Sequence, residues 1–153
     1  DVSTSTYTAE EVDSSYIVKR GDFLIGMDGI FHMNYWAGED ALLVQRVCRV
    51  RPKDESLRAL VGLALREPIK NFETTIQGAT VAHLGAKHLK QIDLLIPAAM
   101  DAHLDCLNQA LWQQIQLHEA NRKLVRTRNL LLPKLMSGQL DVSGIALPEE
   151  VAA

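Results

Sequence analysis

Cysteine is scarce: this chain of 153 residues holds Cys48 and Cys106 and no other. They lack CxxC spacing, and both read as small apolar side chains rather than disulfide partners or nucleophiles. No apolar run approaches the ~20 residues of a membrane span, and the first residues lack the basic-then-apolar order of a signal peptide. The expectation is a cytoplasmic protein with no membrane association. Basic charge is also in short supply, with 16 Lys and Arg against 19 Asp and Glu and a formal charge of −3. A protein that grips nucleic acid by phosphates alone is usually far more basic, so DNA affinity here needs a partner chain. The distribution softens that exclusion. Residues 1–15 and 139–153 carry seven acids and no Lys or Arg, which leaves 16 bases against 12 acids between them. Catalytic signatures are missing too: no Ser/His/Asp order, no glycine-rich phosphate loop and no paired carboxylates in a cleft-like setting. His83 and His88 are five apart with no third ligand at metal spacing. The chain reads as noncatalytic, with no cofactor and no metal.

What is present divides into four segments: a polar stretch at 1–15, a head at 16–97, a long helix with its terminating turn at 98–138, and a tail at 139–153. In the head, Tyr16-Ile17-Val18 and Phe23-Leu24-Ile25 are short β-type runs around the turn composition Lys19-Arg20-Gly21-Asp22. Ala41 to Arg51 reads as one strand. Asp54 is placed to cap a helix whose stripe is Leu57, Leu60, Val61, Ala64 and Leu65, with Pro68 closing it and opening a second helix that ends before Gly78. Thr80–Leu84 and the alternating Ile92, Leu94 and Ile96 look like further strands. Strands before and after a pair of helices make the class α+β.

From Pro97 the pattern changes period. Met100, Leu104, Leu107, Leu111, Ile115, His118, Val125 and Leu132 recur at helical spacings up to the breaker Leu131-Leu132-Pro133-Lys134-Leu135-Met136-Ser137-Gly138. A helix over 99–132 is a rod of roughly 50 Å, longer than a head of this size covers, and self-association as a homodimer is expected through its seam. Leu117, Leu124 and Leu131 add a second stripe. Asn121 and Arg122 either fix register in the seam or lie on a solvated face. The run Arg122, Lys123, Arg126, Arg128 and Lys134 compensates a helix C-terminus or offers a docking patch for an acidic surface.

The loop Gly26–Gly38 brackets large side chains between glycines, a composition suited to recognition. Met27, Asp28, Phe31, His32 and Asn34 are its candidates for contact with base edges. Asp28 also fits plain turn chemistry. Gln45 and Arg46 are candidates for base or phosphate contact, and for Arg46 a buried brace in the sheet is the favoured alternative. His83, Lys87 and His88 surround a second turn, with Lys87 either reaching a phosphate or lying on an ordinary surface.

Several of these segments resemble one known family. Glu119-Ala120-Asn121-Arg122-Lys123-Leu124 followed by Leu131-Leu132-Pro133-Lys134-Leu135-Met136-Ser137-Gly138-Gln139-Leu140 is similar to the C-terminal conserved region of type I restriction-modification specificity subunits. Gly21–Gly29, Leu43–Pro52 and Gly78–Leu89 resemble parts of the distal target-recognition domain in that family. The resemblance implies a noncatalytic subunit that reads half of a split site on double-stranded DNA and seats methyltransferase subunits, with the restriction subunit joining indirectly. It places methyltransferase docking on Asn121, Arg122, Leu132, Pro133, Lys134 and Leu135, while the apolar seam itself puts helix pairing on Leu104, Leu107, Leu111, Ile115, His118 and Val125. It also suggests that part of the recognition domain would precede Tyr16, making the chain a C-terminal half. A pure coiled-coil oligomerisation protein with a vestigial head is the alternative, and a basic face around Gly26–Gly38 separates the two.

Overall fold

Short β-runs separated by turn residues assemble into two small antiparallel sheets, followed by short helices and one long one. The computed structural model describes residues 11–76, 82–97 and 100–145. The chain divides into two compact units, Asp1–Gln116 and Leu117–Ala153. In the first, β1 (Ile17–Val18) pairs with β4 (Ala41–Leu42). A three-stranded sheet has β2 (Phe23–Gly26) at its centre, between β3 (Met33–Tyr35) and β5 (Val47–Val50). Phe23 stands opposite Tyr35 and Val50, and Ile25 opposite Met33 and Cys48. The alternation of a strand sends Phe23 and Ile25 into the core and leaves Leu24 half-exposed between them. The strand expected over Ala41–Arg51 is broken at residues 43–46, where the chain turns.

Asp54 caps a single 3-10 turn, Glu55–Leu57, by accepting from the Ser56 amide at 3.0 Å. Helix α1 (Arg58–Ala64) then gives way to α2 (Arg66–Thr75) at Leu65, earlier than Pro68. Pro68 sits instead in the first turn of α2, where its missing N–H leaves no bond unmade. Leu65 and Ile69 from this helix pair close over Phe23, Ile25, Phe31 and Leu84 to form the main core. Residues 92–96, expected as a strand, form no regular secondary structure, and Leu95 is 94% exposed. Of the other expected strand, Thr80 and Val81 lie outside the described residues, and His83 makes one isolated bridge to Asp28.

Gly62 shows how tightly the sheet and α1 meet. A Cβ there would fall 1.8 Å from the Tyr35 hydroxyl and 3.1 Å from the Phe23 ring. That hydroxyl cannot swing aside freely, because it donates to the carbonyls of Arg58 and Ala59 at 3.0 and 3.2 Å. Gly62→Ala is therefore expected to destabilise the fold by about 2–3 kcal/mol, read from the midpoint of urea unfolding.

The long helix α4 (Asp101–Met136) contributes residues 101–116 to this first unit. Leu104, Leu111 and Ile115 are buried there, with Leu111 and Ile115 packed on Ala37 and Ala59 and with Leu107 alongside. Asn108 satisfies the start of α1 from outside, accepting from the Ala59 amide at 3.1 Å and donating to the Ser56 carbonyl at 2.6 Å. The sequence pattern located this stripe but not its partner. Leu111 and Ile115, with Leu107 partly buried beside them, pack on the chain's own head where a partner helix was expected.

In the second unit the helix continues from Leu117 through Pro133. It runs a few residues beyond the expected 99–132 and ends within the breaker sequence Leu131–Gly138. The end comes at Gly138, whose φ of 71° is the left-handed conformation that glycine adopts at helix C-termini, with the Leu140 amide donating to the Lys134 carbonyl at 3.2 Å. Leu117, Leu124, Val125, Leu131, Leu132, Leu135 and Met136 are exposed in this unit. No helix among the described residues is long and apolar enough to cross a membrane.

Candidate nucleic-acid interface

A buried ionic knot anchors the base of the Gly26–Gly38 loop. Asp22, which immediately precedes β2, is 0% exposed. Its carboxylate accepts from the Lys19 amide at 2.7 Å and from Arg51 Nε at 2.7 Å, with the Arg58 guanidinium 3.7 Å away. Burial works to raise its pKa, but the Arg51 hydrogen bonds, the Lys19 amide and the positive charges of Arg51 and Arg49 outweigh it. The carboxyl is held below its ordinary range. Arg58 is itself held by Gly21, whose carbonyl it reaches at 2.7 Å, and by Glu55, and it lies 5.9 Å from the Trp112 ring centre. Tyr35, at the far end of the loop, is pushed up to about 12 by burial, against the opposing charges of Arg66 and Arg58.

On this base the loop from Met27 to Asn34 sorts its side chains in two directions. Met27 packs against the core, and Phe31 is 1% exposed inside it. Phe31 is therefore a core residue and not a base contact. Its amide donates to Glu73 Oε1 at 2.6 Å, which ties the loop to α2. His32 and Asn34 are exposed, the latter turning its Oδ1 back to the Tyr35 amide at 2.9 Å. A cleft of about 410 Å³ lies beside them, lined by Ile30, Phe31, His32, Met33, Arg66, Lys70, Glu73 and Thr74. Arg66 and Lys70 escaped the sequence reading, although their i, i+4 spacing puts two cations on one face of α2.

The second cluster joins three distant segments. The Met27 amide donates to the Arg46 carbonyl at 2.8 Å, the Leu84 amide to the Met27 carbonyl at 2.8 Å, and the Gly29 amide to the Ala82 carbonyl at 2.9 Å. Asp28 is thereby placed between Arg46 and His83. Its Oδ1 lies 2.7 Å from His83 Nδ1. Its Oδ2 lies 3.3 Å from Arg46 Nε, close enough for an ion pair but without the alignment of a hydrogen bond. Both oxygens face protein side chains, the Arg46 guanidinium and the His83 ring, so Asp28 is not presented to a cytosine amino group. Arg46 is the reverse of a buried brace: its side chain is 78% exposed. The bracing falls to its neighbours Arg49 and Arg51, which reach the Ile17 carbonyl.

Gln45 and Lys87 are exposed, and the His83 side chain is 60% exposed. His88 turns inward instead. Its Nδ1 accepts from the Gly85 amide at 3.0 Å, and its ring lies 5.4 Å from that of Phe72. Taken together, His32, Gln45, Arg46, His83 and Lys87 give the loop region exposed imidazole, amide and cationic groups suited to phosphates and base edges.

No family model matches the chain. The chain is similar to the type I restriction enzyme EcoBI specificity subunit of Escherichia coli, with 28% identity over 145 residues, covering 90% of this chain and 31% of that protein. It spans about a third of the length of the curated relative it matches. The resemblance carried by the sequence motifs thus extends along nearly all of the chain.

Proposed function

We propose that this chain acts as a DNA-recognition element of a type I restriction-modification assembly, reading one part of a split target with its head and seating a methyltransferase subunit on its distal helix. The likeness to a specificity subunit over nearly the whole chain carries this reading. The exposed groups around Asp28 and along the 410 Å³ cleft support it by supplying the basic face that a vestigial head would not require. On the distal helix, Asn121, Arg122, Leu132, Lys134 and Leu135 are exposed and lie where the family motif does. Leu117, Leu124, Val125 and Leu131 form the surface available to a second copy, now that the Leu104–Ile115 stripe is assigned to the head.

The test is co-purification with the cognate methyltransferase subunit, followed by anisotropy on labelled duplexes. With a charge of −3, the chain alone is expected to bind weakly, and the assembly with sequence preference. Arg122→Glu combined with Lys134→Glu should abolish co-purification while leaving the head folded. Undiminished capture by that variant would move docking off the distal helix, and an assembly that binds all duplexes alike would remove the recognition role.

A further inference from the structure

Arg46 has a backbone φ of 69°, the one non-glycine residue with positive φ among the described residues. That conformation brings Cβ close to the following carbonyl and is strained for any residue but glycine, with Asn and Asp the usual exceptions. Packing does not explain it, since the side chain is 78% exposed. What the position offers in place of an unstrained turn is a guanidinium aimed by its surroundings. Strain of this kind, held by the surrounding structure, concentrates at binding sites.

We propose that Arg46 reads a guanine in the DNA target, with Asp28 and His83 as its positioning residues. This rests on the DNA-recognition reading above. Asp28 Oδ2 is shielded from solvent and faces Arg46 Nε at 3.3 Å, while Oδ1 is fixed by His83 Nδ1 at 2.7 Å. An arginine steadied from its Nε side keeps both terminal nitrogens side by side at its tip. Two parallel N–H donors in that arrangement match the O6 and N7 acceptors of guanine in the major groove. The hydrogen bonds from Met27 to Arg46 and from Leu84 to Met27 hold the three segments in register before DNA arrives. A phosphate oxygen pair offers similar acceptors, so sequence dependence is the quantity that separates the two.

The experiment presents the full chain, assembled with its methyltransferase subunit, with a pool of randomised duplexes, and sequences the bound fraction. The wild-type assembly should enrich a fixed set of bases that includes a guanine. Arg46→Ala should reduce the preference at that one guanine by about tenfold or more and leave the other positions unchanged. Arg46→Gly should do the same without a lower melting temperature, because glycine adopts the turn freely. Asp28→Asn should weaken the same position selectively, whereas a merely structural Asp28 would blur every position. Retained guanine preference in both Arg46 variants overturns the proposal. So does a uniform loss of affinity with all base preferences intact and a shallower salt dependence, which marks a phosphate contact. If the wild-type assembly enriches no sequence, it is the recognition reading itself that fails.

Discussion

Replacing Asp22 by asparagine is expected to lower the free energy of unfolding by about 3–5 kcal/mol, the usual cost of removing one partner from a buried ion pair. The carboxylate is fully enclosed and joins the Lys19 turn, the end of β5 through Arg51, and the start of α1 through Arg58. An asparagine of the same shape would leave two guanidinium groups facing an amide. The pH dependence identifies the cause. Because the folded-state pKa of Asp22 lies below that of the unfolded chain, its stabilisation is complete above about pH 4 and is lost as pH falls through the folded value. Urea midpoints of the wild type should therefore drop below pH 4 more steeply than those of Asp22→Asn. Parallel curves would show that the ion pair is not what the substitution removed.

Phe31→Ala is expected to destabilise the head by about 3–5 kcal/mol, as other large aromatic truncations in cores do. Its ring is enclosed with Ile25, Leu65, Ile69 and Leu84. His32→Ala, one residue on and exposed, should change stability by no more than about 0.5 kcal/mol. Thermal unfolding of the two variants side by side is the measurement. A small effect at Phe31 would return it to the surface and to the recognition set.

These two neighbours show what the sequence conveys about this fold and what it does not. The amphipathic stripe from Leu104 to Ile115, the Asp54 cap and the short β-runs at Ile17 and Phe23 were legible because each rests on a local period or a local hydrogen bond. Phe31 was not, because a loop has no period from which to infer which way a ring points. Arg46 was misplaced for a related reason. Val44, Arg46 and Cys48 alternate as a strand would, and with no Gly, Pro, Asn or Asp between them nothing marks the turn the chain makes there. The Leu104–Ile115 stripe reveals a buried face but not which surface buries it, and the head did so where a second helix was expected.

Pro133 gives the distal helix a seam of a different sort. Proline has no amide hydrogen, so the carbonyl of Asn129 lacks the donor four residues on, and the pyrrolidine ring crowds it as well. Beyond that point the helix has only its last few residues and the Gly138 turn to hold it. In native-state hydrogen exchange, the amides of Leu135 and Met136 should open at far lower free energy than those of Leu111 to Ile115, and independently of them. The last turn is thus expected to fray as a unit of its own, with a stability set apart from that of the packed half.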